Sequence, residues 1–155
     1  NHEYYAGAEA WMDHLRAAGV HVLCNHHEVV ERDGDPLVLA GVDDFAGPRF
    51  GSPGPRLDLA LAEAPAGVPV ILLAHQPPAI GAASRAGVAL QLSGHTHGGQ
   101  IVPFNFLVRL DQPHVAGLYR AGDTWLYVSR GTGWWGPPMR LGAPAEVTLI
   151  ELASA

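Results

Sequence analysis

Apolar residues in this chain come in short runs, and the breaks between the runs are clusters of glycine and proline. That punctuation predicts many short elements joined by shaped loops. Trp11, Leu15 and Ala18 recur at helical spacing over residues 8–18, and Gly19 stands where a helix-ending glycine belongs. A helix is expected there, followed by a short strand over 20–24. Residues 28–32 and 37–42 flank Asp33-Gly34-Asp35-Pro36, a turn signal that predicts a hairpin. Residues 47–55 hold three glycines and three prolines and read as loop. Leu57, Leu61 and Ala64 share one face of a second helix, which stops at Pro65-Ala66-Gly67.

Residues 68–74 form a continuous apolar run, the pattern of a strand covered on both faces, and the run ends in His75. A short helix over 79–86 leads to a second such strand over 88–93, which runs into Gly94-His95-Thr96-His97-Gly98-Gly99-Gln100. Further β-like runs cover 117–120, 124–129 and 145–152, with no helix expected after the histidine pair. Strands alternating with helices make an α/β pattern, and open α/β sheets bind ligands beyond the carboxyl ends of their strands. Both histidine-bearing segments fall at that edge.

Composition narrows the picture. With 48% hydrophobic and only 15% charged residues, the chain has the makings of a packed core, and intrinsic disorder is excluded. Its 155 residues suit a single domain over 1–155. A net charge of −6 leaves no phosphate-tracking basic face, so nucleic acid is not expected as a structural partner. Bound metal ions could still bring a phosphate to an acidic protein. The single cysteine, Cys24, forbids a disulfide framework and is expected to be a small buried hydrophobe. The longest apolar run, 68–74, is far short of the roughly 20 residues that span a bilayer.

His95 and His97, at i and i+2 in a glycine-flanked turn, can face neighbouring metal positions while the glycines allow close backbone approach. The pair alone fits solvated or backbone-bonded loop histidines better than a metal site. His75 changes this, because two adjacent strands that both finish in histidine converge on one rim. Metal binding is the expectation, and one zinc ion held by His75, His95 and His97 fits the ligand count.

Asn1-His2-Glu3, Ala74-His75 and the segment 94–100 together resemble, in order, the last three motifs of the calcineurin-like metallophosphoesterases. Gly41-Val42-Asp43-Asp44 and Tyr127-Val128-Ser129-Arg130-Gly131 resemble a bacterial, often membrane-associated branch of small phosphodiesterases. The resemblance implies an α/β (α+β) fold, the C-terminal part of a four-layer αββα sandwich with mixed sheets. It implies Asn1 as an amide-carbonyl ligand of one metal, His75 and His95 as its imidazole ligands, and His97 as a ligand of a second. His2 would be catalytic, lying near the phosphate to stabilise the transition state or protonate the leaving oxygen. Two divalent ions, manganese, iron or zinc, would clamp the phosphoryl oxygens of a phosphate-ester substrate and activate a bridging hydroxide. A membrane-associated or exported full-length protein is also implied.

The family's first two motifs, an Asp-x-His and a Gly-Asp followed by Asp or Asn, precede Asn-His-Glu and carry the bridging carboxylate. No Asp-x-His occurs here: Asp13 and His14 are adjacent, and Asp111 and His114 are three apart. The expectation is a C-terminal portion of a phosphoesterase domain, inactive alone, completed by upstream residues. The alternative is a noncatalytic metal-binding or assembly half-domain. A sheet edge bared by the missing half would invite a homodimer or association with that N-terminal half. Asp43-Asp44 reads as a turn initiator, His26-His27 as structural or exposed, and Glu3 as solvated. The adjacent Trp134 and Trp135 read as a substrate- or membrane-facing lip or as a loop plug. Arg130 and Arg140 are candidates for phosphate contact.

Overall fold

A computed structural model describes residues 1–153. Its centre is a mixed six-stranded sheet in the order β1-β2-β3-β4-β6-β5, with few and short helices, in keeping with the expected α/β class. β1 (His26–Arg32) and β2 (Asp35–Gly41) form the expected hairpin around Asp33-Gly34. Both turn residues have positive φ, 56° and 91°, the left-handed pair whose twist matches that of the flanking strands. β2, β3 (Val70–Leu73), β4 (Leu90–Ser93) and β6 (Thr124–Val128) run parallel, and β5 (Gly117–Ala121) returns antiparallel to β6. The parallel strands carry the core: Val38, Ala40, Leu72, Leu126 and Val128 have no exposed surface.

The helices are α1 (Glu3–Ala6), α2 (Ala8–Ala17), α3 (Leu57–Ala60), α4 (Ile80–Arg85) and α5 (Asn105–Asp111). α4 crosses from β3 to β4 and buries Ile80 and Ala83 on the sheet. No helix among the described residues is long and apolar enough to cross a membrane.

Four sequence expectations are corrected. Residues 20–24 form no strand. Leu23 instead packs on Gly41, where an added Cβ would come within 2.5 Å of the leucine Cβ. Residues 145–152 also form no strand, and Val147 and Leu149 are left 89% and 94% exposed. α5 was not expected, because Phe106 and Leu110 add apolar positions outside the i, i+3, i+4 set of Phe104, Leu107 and Val108 and mask its single face. Cys24 is exposed, with its thiol 3.0 Å from the Met12 sulfur.

Candidate active site

The site grows from the carboxyl ends of β3 and β4. Leu73 pairs with Leu92, and the ladder runs on past the strands: Ala74 N–H donates to the Leu92 carbonyl at 3.1 Å and Gly94 N–H to the His75 carbonyl at 3.0 Å. Ser93 Oγ, buried, donates to the Ala74 carbonyl at 2.6 Å. These bonds anchor His75 beside the start of the histidine-pair turn. Within that turn His95, His97 and Gln100 take φ of 69°, 52° and 53°, and Gly98 and Gly99 are left-handed too. Left-handed non-glycine residues are uncommon and cost on the order of 1–3 kcal/mol each, so neighbouring contacts must hold them. One holding contact is the buried Thr96, whose hydroxyl donates to the Val115 carbonyl at 2.6 Å.

Three of the expected residues come together although 74 and 20 positions separate them. His75 Nε2 lies 3.1 Å from Asn1 Oδ1 and 3.3 Å from His95 Nδ1, with the two rings 5.0 Å apart and edge to face. An amide oxygen and two imidazole nitrogens so close are a donor set suited to manganese, iron or zinc. All three are neutral ligands. Among the described residues, no three of His, Cys, Asp and Glu gather into a metal-holding group.

Electrostatics keep these imidazoles unprotonated. His75 retains a solvent-open edge, but the protein packed around the ring disfavours a charge and pushes its pKa down to about 4; His95 acts in the same direction. Desolvation also lowers the pKa of the half-buried His95, against the attraction of Asp44. His97 is lowered by desolvation and then by the Arg140 guanidinium. Each ring is therefore neutral at neutral pH with one nitrogen lone pair, as metal ligation requires; Asn1 Oδ1 only accepts, so its contact holds the ring proton on His75 Nε2, and ligation through that atom exchanges the contact.

His97 and His2 line the same cavity as the trio but do not join its contacts. Arg140 Nη2 lies 3.3 Å from His97 Nδ1. Guanidinium only donates, so Nδ1 accepts, and the neutral ring then keeps its proton on Nε2. His97 can accept a metal only by exchanging this bond. His2 is exposed on the cavity wall.

The cavity, of about 590 Å³, runs from the imidazoles between α5 and the loop bearing Trp134 and Trp135. Sequence reasoning missed what fastens that loop. Gln100, 5% exposed, donates through Nε2 to the Trp135 carbonyl at 2.6 Å, and its Oε1 accepts from the Trp135 N–H at 2.5 Å. Arg140, considered for phosphate, donates instead to the carbonyls of Gly133, Arg130, His97 and Ala143 at 2.7–3.1 Å. Arg130 pairs with Glu146 at 3.3 Å. Both tryptophans remain more than half exposed, at 58% and 57%. Asp44 behaves as the expected turn former, its Oδ1 accepting from Ala46 N–H at 2.8 Å, and His27 is bonded through Nδ1 to the Ala60 carbonyl at 2.8 Å.

Several known proteins are similar to this chain in sequence. The chain is 42% identical to a transmembrane protein with metallophosphoesterase domain from Danio rerio, an alignment covering all of this chain and 38% of that protein. It is 42% identical to an uncharacterized metallophosphoesterase of Helicobacter pylori, over 98% of this chain and 40% of the relative. One from Aquifex aeolicus is 39% identical, with 98% and 58% covered. No protein-family model and no solved structure matches the chain. The chain belongs to the metallophosphoesterases, consistent with the calcineurin-like superfamily. It spans about two fifths of the length of the first two of these relatives.

Proposed function

We propose that the chain supplies the histidine-bearing side of a dinuclear phosphoesterase site, hydrolysing a phosphate ester, and in particular a phosphodiester. The observation that carries this reading is the meeting of Asn1 Oδ1, His75 Nε2 and His95 Nδ1 at one sheet edge. Those three residues would hold one divalent ion, and His97 would hold a second once Arg140 releases its Nδ1. The ions, when bound, supply positive charge for the phosphoryl oxygens and lower the pKa of water. His2, on the cavity wall, would donate its ring proton to the leaving oxygen. Asp44 works at one remove: it accepts two bonds from the Gln76 side-chain amide, at 2.9 and 3.1 Å, and its charge favours any cation held by His75 and His95.

A second reading is favoured by one observation: the trio holds no carboxylate. Two dications on neutral ligands leave charge uncompensated, which suits a noncatalytic metal-binding or assembly half-domain that is inactive alone. Manganese-dependent hydrolysis of bis(4-nitrophenyl) phosphate separates the two, measured for this chain and for the full-length protein. Turnover by the full-length protein that is lost on His95→Ala supports the enzyme. Absence of turnover in both leaves the noncatalytic reading. The transmembrane label of two relatives, from Danio rerio and Bos taurus, supports a membrane-associated full-length protein.

A further inference from the structure

The cavity that begins at the imidazoles changes character along its length. Besides the imidazoles, it is lined by Ile101, Phe104, Leu107 and Val108 and by Trp134 and Trp135. Positions 104, 107, 108 and 111 recur at i, i+3, i+4 and i+7, so one whole face of α5 is turned to the cavity. The loop bearing the tryptophans does not depend on chance packing, because the Gln100 amide clamps the Trp135 backbone directly to the histidine-pair turn. A preformed apolar cleft of about 590 Å³ is of the size that holds a small-molecule ligand.

Its charges are as informative as its shape. Among the described residues no arginine lines the cavity, and the chain contains no lysine at all. The charged residue at the α5 end is Asp111, which repels phosphate. A nucleotide strand or a phosphate polymer needs cations spaced along its path, and a sugar needs polar partners. Along α5 this chain offers no cation, and its polar lining there is confined to Asp111 and Gln112. A phosphate has one place to sit, by the imidazoles, and whatever is attached to it must lie on hydrocarbon.

We infer that the ligand is an amphiphile: one phosphoester whose apolar chain lies between α5 and the Trp134–Trp135 lip. The inference rests on the phosphoesterase reading for the reaction, in which water adds to phosphorus and the bond from phosphorus to the leaving oxygen breaks. Aromatic lip residues suit such a boundary, with one side on hydrocarbon and the other in water.

The test has a binding arm and a turnover arm. Monoalkyl phosphates of two to fourteen carbons, each below its aggregation concentration, are titrated into the chain by calorimetry with manganese present, and inorganic phosphate is the baseline. Affinity should climb about two- to fourfold per methylene until the alkyl chain outruns the cavity. Leu107→Ser should flatten that climb. Affinity independent of chain length in the unmodified protein overturns the inference, whatever the variant does. In the turnover arm the full-length protein is offered 4-nitrophenyl methyl and 4-nitrophenyl dodecyl phosphate, each releasing nitrophenolate and the alkyl phosphate. A dodecyl preference of about a hundredfold in kcat/KM supports the amphiphile. Equal turnover overturns it and leaves the phosphoesterase reading standing. No turnover of either ester, with length-graded binding intact, overturns the phosphoesterase reading alone.

Discussion

Gln100 holds Trp135 by both ends of its backbone unit, accepting from the N–H and donating to the carbonyl. A side-chain amide here takes the place of a neighbouring strand. The consequence is functional, because Gln100 closes the same turn that carries His95 and His97, and the exposed tryptophans are therefore held in fixed relation to the imidazoles.

Gln100→Ala removes both bonds and leaves two backbone groups to find water. A stability loss of about 1–3 kcal/mol is expected from urea unfolding, with increased acrylamide quenching of tryptophan fluorescence as the lip loosens. Unchanged quenching would show that the clamp does not position the loop.

Gly99 meets the start of α5 so closely that a Cβ would collide with the Asn105 Cβ, and its φ of 77° is itself unfavourable to other residues. Gly99→Ala should cost about 1–3 kcal/mol and displace α5, lowering affinity for any ligand of the cavity. Gly94→Ala is the control, since a Cβ there meets nothing within 4 Å.

Manganese or zinc should raise the melting temperature of the metal-free chain in proportion to the logarithm of metal concentration, as a ligand of the folded state does. His75→Ala and His95→Ala should each abolish that rise, and Asn1→Ala should weaken it. A rise of equal size in His95→Ala would place the metal elsewhere.

Depression of the His75 pKa to about 4 makes stability depend on pH with a definite sign. Between about 4 and the ordinary histidine value near 6.5 the unfolded chain takes up a proton that the folded chain refuses, so stability falls as pH drops through that window and levels off below it. His95 and His97, also lowered, act in the same direction. Urea unfolding in chelator from pH 7.5 to 4 measures this, and His75→Gln should make the curve shallower. A curve unchanged by that substitution would sink the assignment.

Much of this protein can be read without coordinates. The hairpin turn at Asp33-Gly34, the β3 and β4 core strands and the histidines at their ends follow from local rules, because apolar runs, turn chemistry and strand ends are short-range properties. Residue types at a sheet edge also announce metal chemistry. Three things needed the folded chain. Strand status of 20–24 and 145–152 was not decided by their apolar pattern, because a strand also needs a ladder partner, and neither segment joins the sheet. α5 is apolar on more than one face, so its sequence alone does not single out the face of 104, 107, 108 and 111 that lines the cavity. The work of Gln100 and Arg140, and the different surroundings of His97 and His95, arise from contacts across 35 to 43 positions. Hydrogen bonds of that span are chosen by packing, so the residue types that make them carry no local signature.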